Sequence, residues 1–266
     1  MTQVVTTANL LRTPNVKLRF EEMLGKKAAG FLSSVINTVT NDKFLSKCDA
    51  TSVMMAAAVA ASLDLPVDKN LGFAWIIPYG GKASFQLGFK GYVQLAQRTG
   101  KYKTINTGVV YEGQFIERNG LTGELKFDWD AKTSDTIVGY TAYFSLMNGF
   151  EKAIFWTKED VEKHAMRYSQ AYKAGRDTPW KSDFDLMAQK TLLKNILSKW
   201  GILSIEMESA LKYDQATVED IDNDEFNYPD NVEDADAVVV DDFTEGEKDT
   251  KDGPGDLFDE GGQRIN

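Results

Sequence analysis

Between Lys69 and Tyr111 the chain runs 43 residues without an Asp or Glu, yet this stretch carries six cations (Lys69, Lys82, Lys90, Arg98, Lys101, Lys103), eight aromatic residues and seven glycines. Ammonium and guanidinium groups neutralise phosphates, aromatic faces stack on bases, and glycine lets a backbone approach closely. That combination is the chemistry of holding a polyanion with stackable bases. A buried sheet would also lack acids, but it would not place a lysine every few residues. A second set of cations follows: Lys158, Arg167, Lys181, Lys190 and Lys194. Lys190 and Lys194 stand four apart in a helical pattern, where like charges repel unless an anion lies over them. A plain solvated basic face is the competing reading of that pair.

Other chemistries lack their residues. Gly80-Gly81-Lys82 has neither the preceding glycine nor the following Ser or Thr of a nucleotide-hydrolysing phosphate loop. There is no CxxC or HExxH, and Cys48 and His164 are each the single residue of their type, His164 reading as a surface residue of a charged helix. The acid pairs Glu159/Asp160 and Asp183/Asp185 fit the electrostatics of helix starts better than metal ligation. No catalytic residue, metal site or cofactor is expected, and the chain reads as a binder that consumes no nucleotide.

The net charge of −10 hides two opposite parts. Residues 214–266 hold 19 acids against 3 cations, whereas residues 1–213 hold 27 cations against 21 acids. A basic body with an acidic appendage suits nucleic-acid binding. The expected organisation is therefore a nucleic-acid-binding domain over 1–213 and an acidic, disordered tail over 214–266, too poor in apolar residues to offset chain ordering. No apolar run approaches the length of a membrane span, and the first residues lack the pattern of a secretory signal. The lone cysteine fits a reducing cytoplasm.

Residue spacing predicts helices in the N-terminal part, with Asp49 or Thr51 capping an alanine-rich helix that packs against a sheet. Gly80-Gly81 predicts a tight turn between strands GFAWIIPY and ASFQLGF, and Asn148-Gly149 a two-residue hairpin. GYVQLAQRTG reads as a short helix ended by Gly100, with Gln94 and Arg98 on one face. Further strands follow through FEKAIFW. Thr157 and Asp160 form a capping-box pattern, and Ser182 is the expected cap of a long helix that Gly201 ends. The fold class is α+β, with antiparallel hairpins packed on helices.

The segment IPYGGKASFQLGFKGYVQLAQRTGKYKTINTGVVYEGQ closely resembles the signature block of the RecT family of phage and prophage single-strand annealing recombinases. FEKAIFWTKEDVEKHAMRYS and DTPWKSDFDLMAQKTLLKNILSKWGILS resemble the family's second block, so that the resemblance covers roughly residues 30–210. It implies an ATP-independent protein that coats single-stranded DNA, assembles into rings or helical filaments, and pairs complementary strands through an annealed duplex intermediate. It also implies a curved antiparallel sheet and a helix bounding a basic groove, with a partner exonuclease or a host single-strand-binding protein nearby.

On this reading Lys82, Lys90, Arg98, Lys101, Lys103, Lys181, Lys190 and Lys194 are candidate phosphate ligands, together with Lys158 and Arg167. Gln94 is a candidate for sugar or phosphate oxygens, and Tyr79, Tyr92 and Tyr102 for ring contacts, as are Trp75 and Phe85. Each lysine equally suits a solvated surface, and each ring a packed core. The rival functions are a metal-dependent nuclease and an adaptor acting through the acidic tail.

Overall fold

The structure is a computed structural model that describes residues 6–220 and 225–227. Four N-terminal helices come first: α1 (Thr7–Leu11), α2 (Pro14–Leu24), α3 (Ala28–Thr40) and α4 (Ala50–Ser62). Asp49 opens α4, its carboxylate accepting the Ser52 amide at 2.8 Å. The helix is buried along nearly its whole length, from Ser52 and Val53 to the run Ala56–Ala61. Small alanines let neighbouring backbones come close, which is why so apolar a helix sits at the centre of this half.

The hairpin of β1 (Ala74–Tyr79) and β2 (Lys82–Leu87) packs on α4. Tyr79 pairs with Lys82, and the two residues between them, Gly80 and Gly81, have φ of +54° and +84°. Both lie in the left-handed region, which only glycine enters without cost. The turn is anchored to the start of α4: the Asp49 amide donates to the Gly81 carbonyl at 2.9 Å, and the Ala83 amide to Ser52 Oγ at 2.8 Å.

Next comes α5 (Phe89–Arg98). A Cβ placed on Gly88 would lie 2.1 Å from the Gly72 carbonyl oxygen, and one on Gly91 2.3 Å from that of Phe73. These glycines permit a close approach, but to the protein's own backbone.

The second half is built on a three-stranded antiparallel sheet of order β3 (Tyr102–Tyr111), β6 (Ile137–Leu146), β7 (Glu151–Thr157). Tyr140 lies opposite Trp156 in register, so the two share a face. On that face Tyr140 meets Phe184 of α9 (Phe184–Trp200), and Trp156 meets His164 of α6 (Lys158–Tyr168). On the other face Phe155 stacks on Phe115 at 4.5 Å, covered by the hairpin of β4 (Phe115–Arg118) and β5 (Leu125–Phe127). Short helices α7 (Gln170–Lys173) and α8 (Pro179–Ser182) lead into α9. α10 (Ile205–Tyr213), β8 (Thr217–Asp220) and β9 (Glu225–Asn227) complete the described part. The architecture is α+β with antiparallel sheets, as expected.

Three expectations change in detail. Asn148-Gly149 belongs to a wider turn: the last paired residues are Leu146 and Phe150, and the Asn148 side chain accepts the Phe150 amide at 3.0 Å. The residue before α9 is Asp183, not Ser182, because Ser182 ends α8 and turns its hydroxyl to the Asp183 carboxylate. His164 is half-buried among Trp156, Tyr168 and Trp180 rather than on an open surface. The acidic segment beyond Asn227 lies outside the described residues.

Asp214 itself is the first residue past α10, and only 2% of it is exposed. One carboxylate oxygen accepts the Leu87 amide at 2.8 Å. The other accepts the Tyr92 hydroxyl at 2.7 Å and the Lys194 ammonium at 2.8 Å. The next residue, Gln215, donates its amide to the Phe85 carbonyl at 2.9 Å. One side chain thus joins β2, α5, α9 and the segment leaving α10. Burial alone would push the Asp214 carboxyl up. The positive charges of Lys194 and Lys190, with the hydrogen bonds from Lys194 and Tyr92, outweigh it and hold the carboxyl below its usual range.

Three substitutions and one pH series test these contacts. Gly88→Ala is expected to destabilise by about 1–3 kcal/mol through forced backbone displacement, lowering Tm by roughly 4–10 °C. Gly30→Ala, inside α3 with nothing within 4 Å of the added methyl, is expected to raise stability by about 0.5–1 kcal/mol. Asp214→Ala leaves buried donors without an acceptor and is expected to cost about 3–5 kcal/mol in denaturant melts. Because the folded state depresses this carboxyl, its contribution is complete above the ordinary carboxylate range of about 4. That contribution disappears as pH falls through the lower folded value. Stability curves of wild type and Asp214→Asn should therefore converge below about pH 4.

Candidate nucleic-acid interface

Helix α5 presents Lys90, Gln94 and Arg98 at successive four-residue steps, so they form one stripe along it. Lys90 is exposed in the first turn and Gln94 is half-buried. Arg98 is already engaged: its guanidinium donates to the carbonyls of Leu63 and Asp64 at 2.6 and 2.8 Å. These are carbonyls at the C-terminal end of α4, where no helical partner remains for them. The Asp64 carboxylate lies 4.0 Å from Arg98 and 2.8 Å from Lys27. The first role of Arg98 is thus to cap α4, although the residue remains on the surface.

The stripe continues into Lys101 and Lys103, both exposed at the start of β3. The Lys101 carbonyl accepts the Met147 amide at 2.8 Å, which ties this corner to the β6–β7 turn. Between the two lysines, Tyr102 is half-buried: its ring meets Phe144 edge-on at 5.5 Å and its hydroxyl donates to the Ile202 carbonyl at 3.0 Å. Burial raises the Tyr102 phenol, and the bond to Ile202 lowers it by less. Gly201 makes this contact possible, since a Cβ there would lie 2.4 Å from the Tyr102 hydroxyl.

Helix α9 packs beside α5 and brings Lys190 and Lys194. The anion that the four-residue spacing calls for is supplied by the chain itself, for both lysines face Asp214. Lys194 pairs with it directly; its side chain is 38% exposed against 1% for that of Asp214. Lys190 is half-buried, and burial lowers its ammonium, with the neighbouring charge of Lys194 acting in the same direction against the attraction of Asp214. Two cations and one carboxylate leave this cluster with a net charge of +1.

The remaining candidates separate. Lys82 is exposed at the β1–β2 turn over the start of α4, whereas Arg98 sits at the end of α4. Thirteen helical residues span about 20 Å, so these two cations stand near opposite ends of α4 rather than meeting at a point. Lys158 opens α6 and Arg167 lies in its last turn, over the Tyr168 ring at 5.2 Å. The Lys181 ammonium donates to the Gly175 carbonyl. Lys158 and Arg167 stand on α6, which packs on β6 and β7, and Lys181 on α8, which packs on α9.

Two rings expected to meet bases are core residues: Tyr92 and Phe85 are both fully buried. The Tyr92 hydroxyl is held by Asp214, and burial followed by that carboxylate's charge pushes its phenol well up. Tyr79 keeps 37% exposure at the hairpin, and Trp75 is half-buried. Asp214 is the residue that sequence reasoning missed, because it heads an acidic run. The lysine pair at 190 and 194 was the available signal for it. Among the described residues no group of three or more His, Cys, Asp or Glu is placed to hold a metal ion, and no helix is long and apolar enough to cross a membrane.

Comparison with known proteins agrees with the sequence resemblance. The chain is 51% identical over 220 residues to the uncharacterized protein YqaK of Bacillus subtilis (strain 168), an alignment covering 83% of this chain and 76% of the relative. It is 28% identical over 180 residues to Protein RecT of Escherichia coli (strain K12), covering 64% of this chain and 65% of that protein. The model of the RecT family matches residues 29–229, a span that contains α5, α9 and Asp214, and the chain belongs to the RecT family.

Proposed function

We propose that this protein binds single-stranded DNA along the face formed by α5, the start of β3 and α9, and anneals it to a complementary strand without hydrolysing a nucleotide. The observation that supports this most is the side-by-side packing of α5 and α9 in a RecT-family chain. Lys90, Lys101 and Lys103 are exposed on α5 and at the start of β3, and the cluster around Asp214 adds a net positive charge.

Annealing is exergonic once two strands meet, because base pairing and stacking supply the free energy. Phosphate repulsion and intrastrand structure slow the meeting. A line of cations lowers the first, and holding the backbone extended removes the second. Contacts to phosphate and sugar leave the Watson–Crick edges open and give little sequence preference. With Tyr92 and Phe85 in the core, ring contacts fall to Tyr79 and to the exposed edges of Tyr102 and Trp75. Assembly of copies into a ring or filament, action in the cytoplasm, and cooperation with an exonuclease or a host single-strand-binding protein complete the reading.

Anisotropy titrations of a labelled oligonucleotide over a range of salt test it. Log affinity should fall linearly with log salt. Lys90→Ala and Lys101→Ala should each flatten the slope by about 0.7, the value for one phosphate of a single strand. Two complementary oligonucleotides should anneal faster with the protein present, in EDTA and without ATP. Cleavage of labelled strands on adding Mg²⁺ would favour a nuclease instead. A protein indifferent to single strands at low salt would favour an adaptor acting through its acidic segment.

A further inference from the structure

We propose that Asp214 is a positioning residue that sets the grip on DNA: by sharing one negative charge between Lys190 and Lys194, it leaves α9 with the capacity for one phosphodiester contact instead of two. This rests on the reading of the α5–α9 face as the DNA-binding surface. The geometry behind it is specific. The carboxylate is buried beneath two lysines four residues apart, with Lys194 at 2.8 Å and part of that lysine still open to solvent. The carboxylate cannot turn away, because the Leu87 amide fixes one oxygen and the Tyr92 hydroxyl the other. Among the described residues Lys190 makes no hydrogen bond of its own and shares the same counterion through space.

Asp214 therefore does more than join segments. A neutral residue of the same shape could keep contacts to the amide and the hydroxyl at some cost in stability, but it would release a second positive charge to the ligand. A strand that must slide into register benefits from few ionic contacts per subunit, since each added contact lengthens its residence.

The test uses the full chain and a labelled oligonucleotide, with binding measured from 50 to 200 mM salt. Asp214→Asn keeps the shape and takes the cluster from +1 to +2. The slope of log affinity against log salt should steepen by about 0.7, an extra loss of roughly 2.5-fold over this range. Combining Asp214→Asn with Lys194→Gln restores +1 and should return the slope to that of wild type. Such charge-balanced rescue is not expected of a residue that only holds the fold. Lys194→Gln alone takes the cluster to zero and should flatten the slope by about 0.7; this arm stands even if Asp214→Asn melts below the assay temperature. A folded Asp214→Asn with an unchanged slope, or an unchanged slope in Lys194→Gln, overturns the proposal while leaving the DNA-binding face intact. Wild type without salt-dependent binding overturns the face itself.

Discussion

A single buried carboxylate holds β2, α5 and α9 of this molecule together. Asp214 accepts hydrogen bonds from β2, α5 and α9 at once, and its own backbone carries the chain from α10 to β8. An isolated charge at that depth is untenable, since desolvation would drive the group to its neutral form. Here two lysines and two further donors compensate it. The relative placement of α5 and α9, and thus of every cation they carry, depends on that compensation.

The constraint works in both directions. The lysines need the acid as much as the acid needs them, because two ammonium groups at four-residue spacing on a half-buried helical face repel. Burial lowers Lys190, and Asp214 counteracts it. Arg98 shows the same economy at the other end of α4, where one guanidinium satisfies two orphaned carbonyls and remains at the surface. In this fold the cations nearest the core organise structure, while those at the edges, Lys82, Lys90, Lys101 and Lys103, face solvent.

Local rules made much of this legible in the sequence. The Gly80-Gly81 turn, the Asp49 cap, the Thr157–Asp160 capping box and the buried alanine-rich α4 each follow from a backbone or burial requirement expressed within a few residues. Contacts made across long sequence distances were not legible. Tyr92 looks like an available ring until Asp214, 122 residues away, takes its hydroxyl. Nothing in the sequence around Gly88 announces the Gly72 carbonyl that occupies the place of its side chain. Asp214 was hidden by composition: heading an acidic run, it read as the first residue of a tail. The lysine pair recorded the need for an anion but could not say which one.

Lysine footprinting tests the central claim most directly. The protein is acylated briefly with and without a single-stranded oligonucleotide, and each lysine is scored by mass spectrometry. Protection should concentrate at Lys90, Lys101 and Lys103, with Lys190 and Lys194 shielded further when the strand is bound. Protection confined to Lys158 and Lys163 on α6, with Lys90, Lys101 and Lys103 unchanged, would contradict the α5–α9 face as the place where DNA lies.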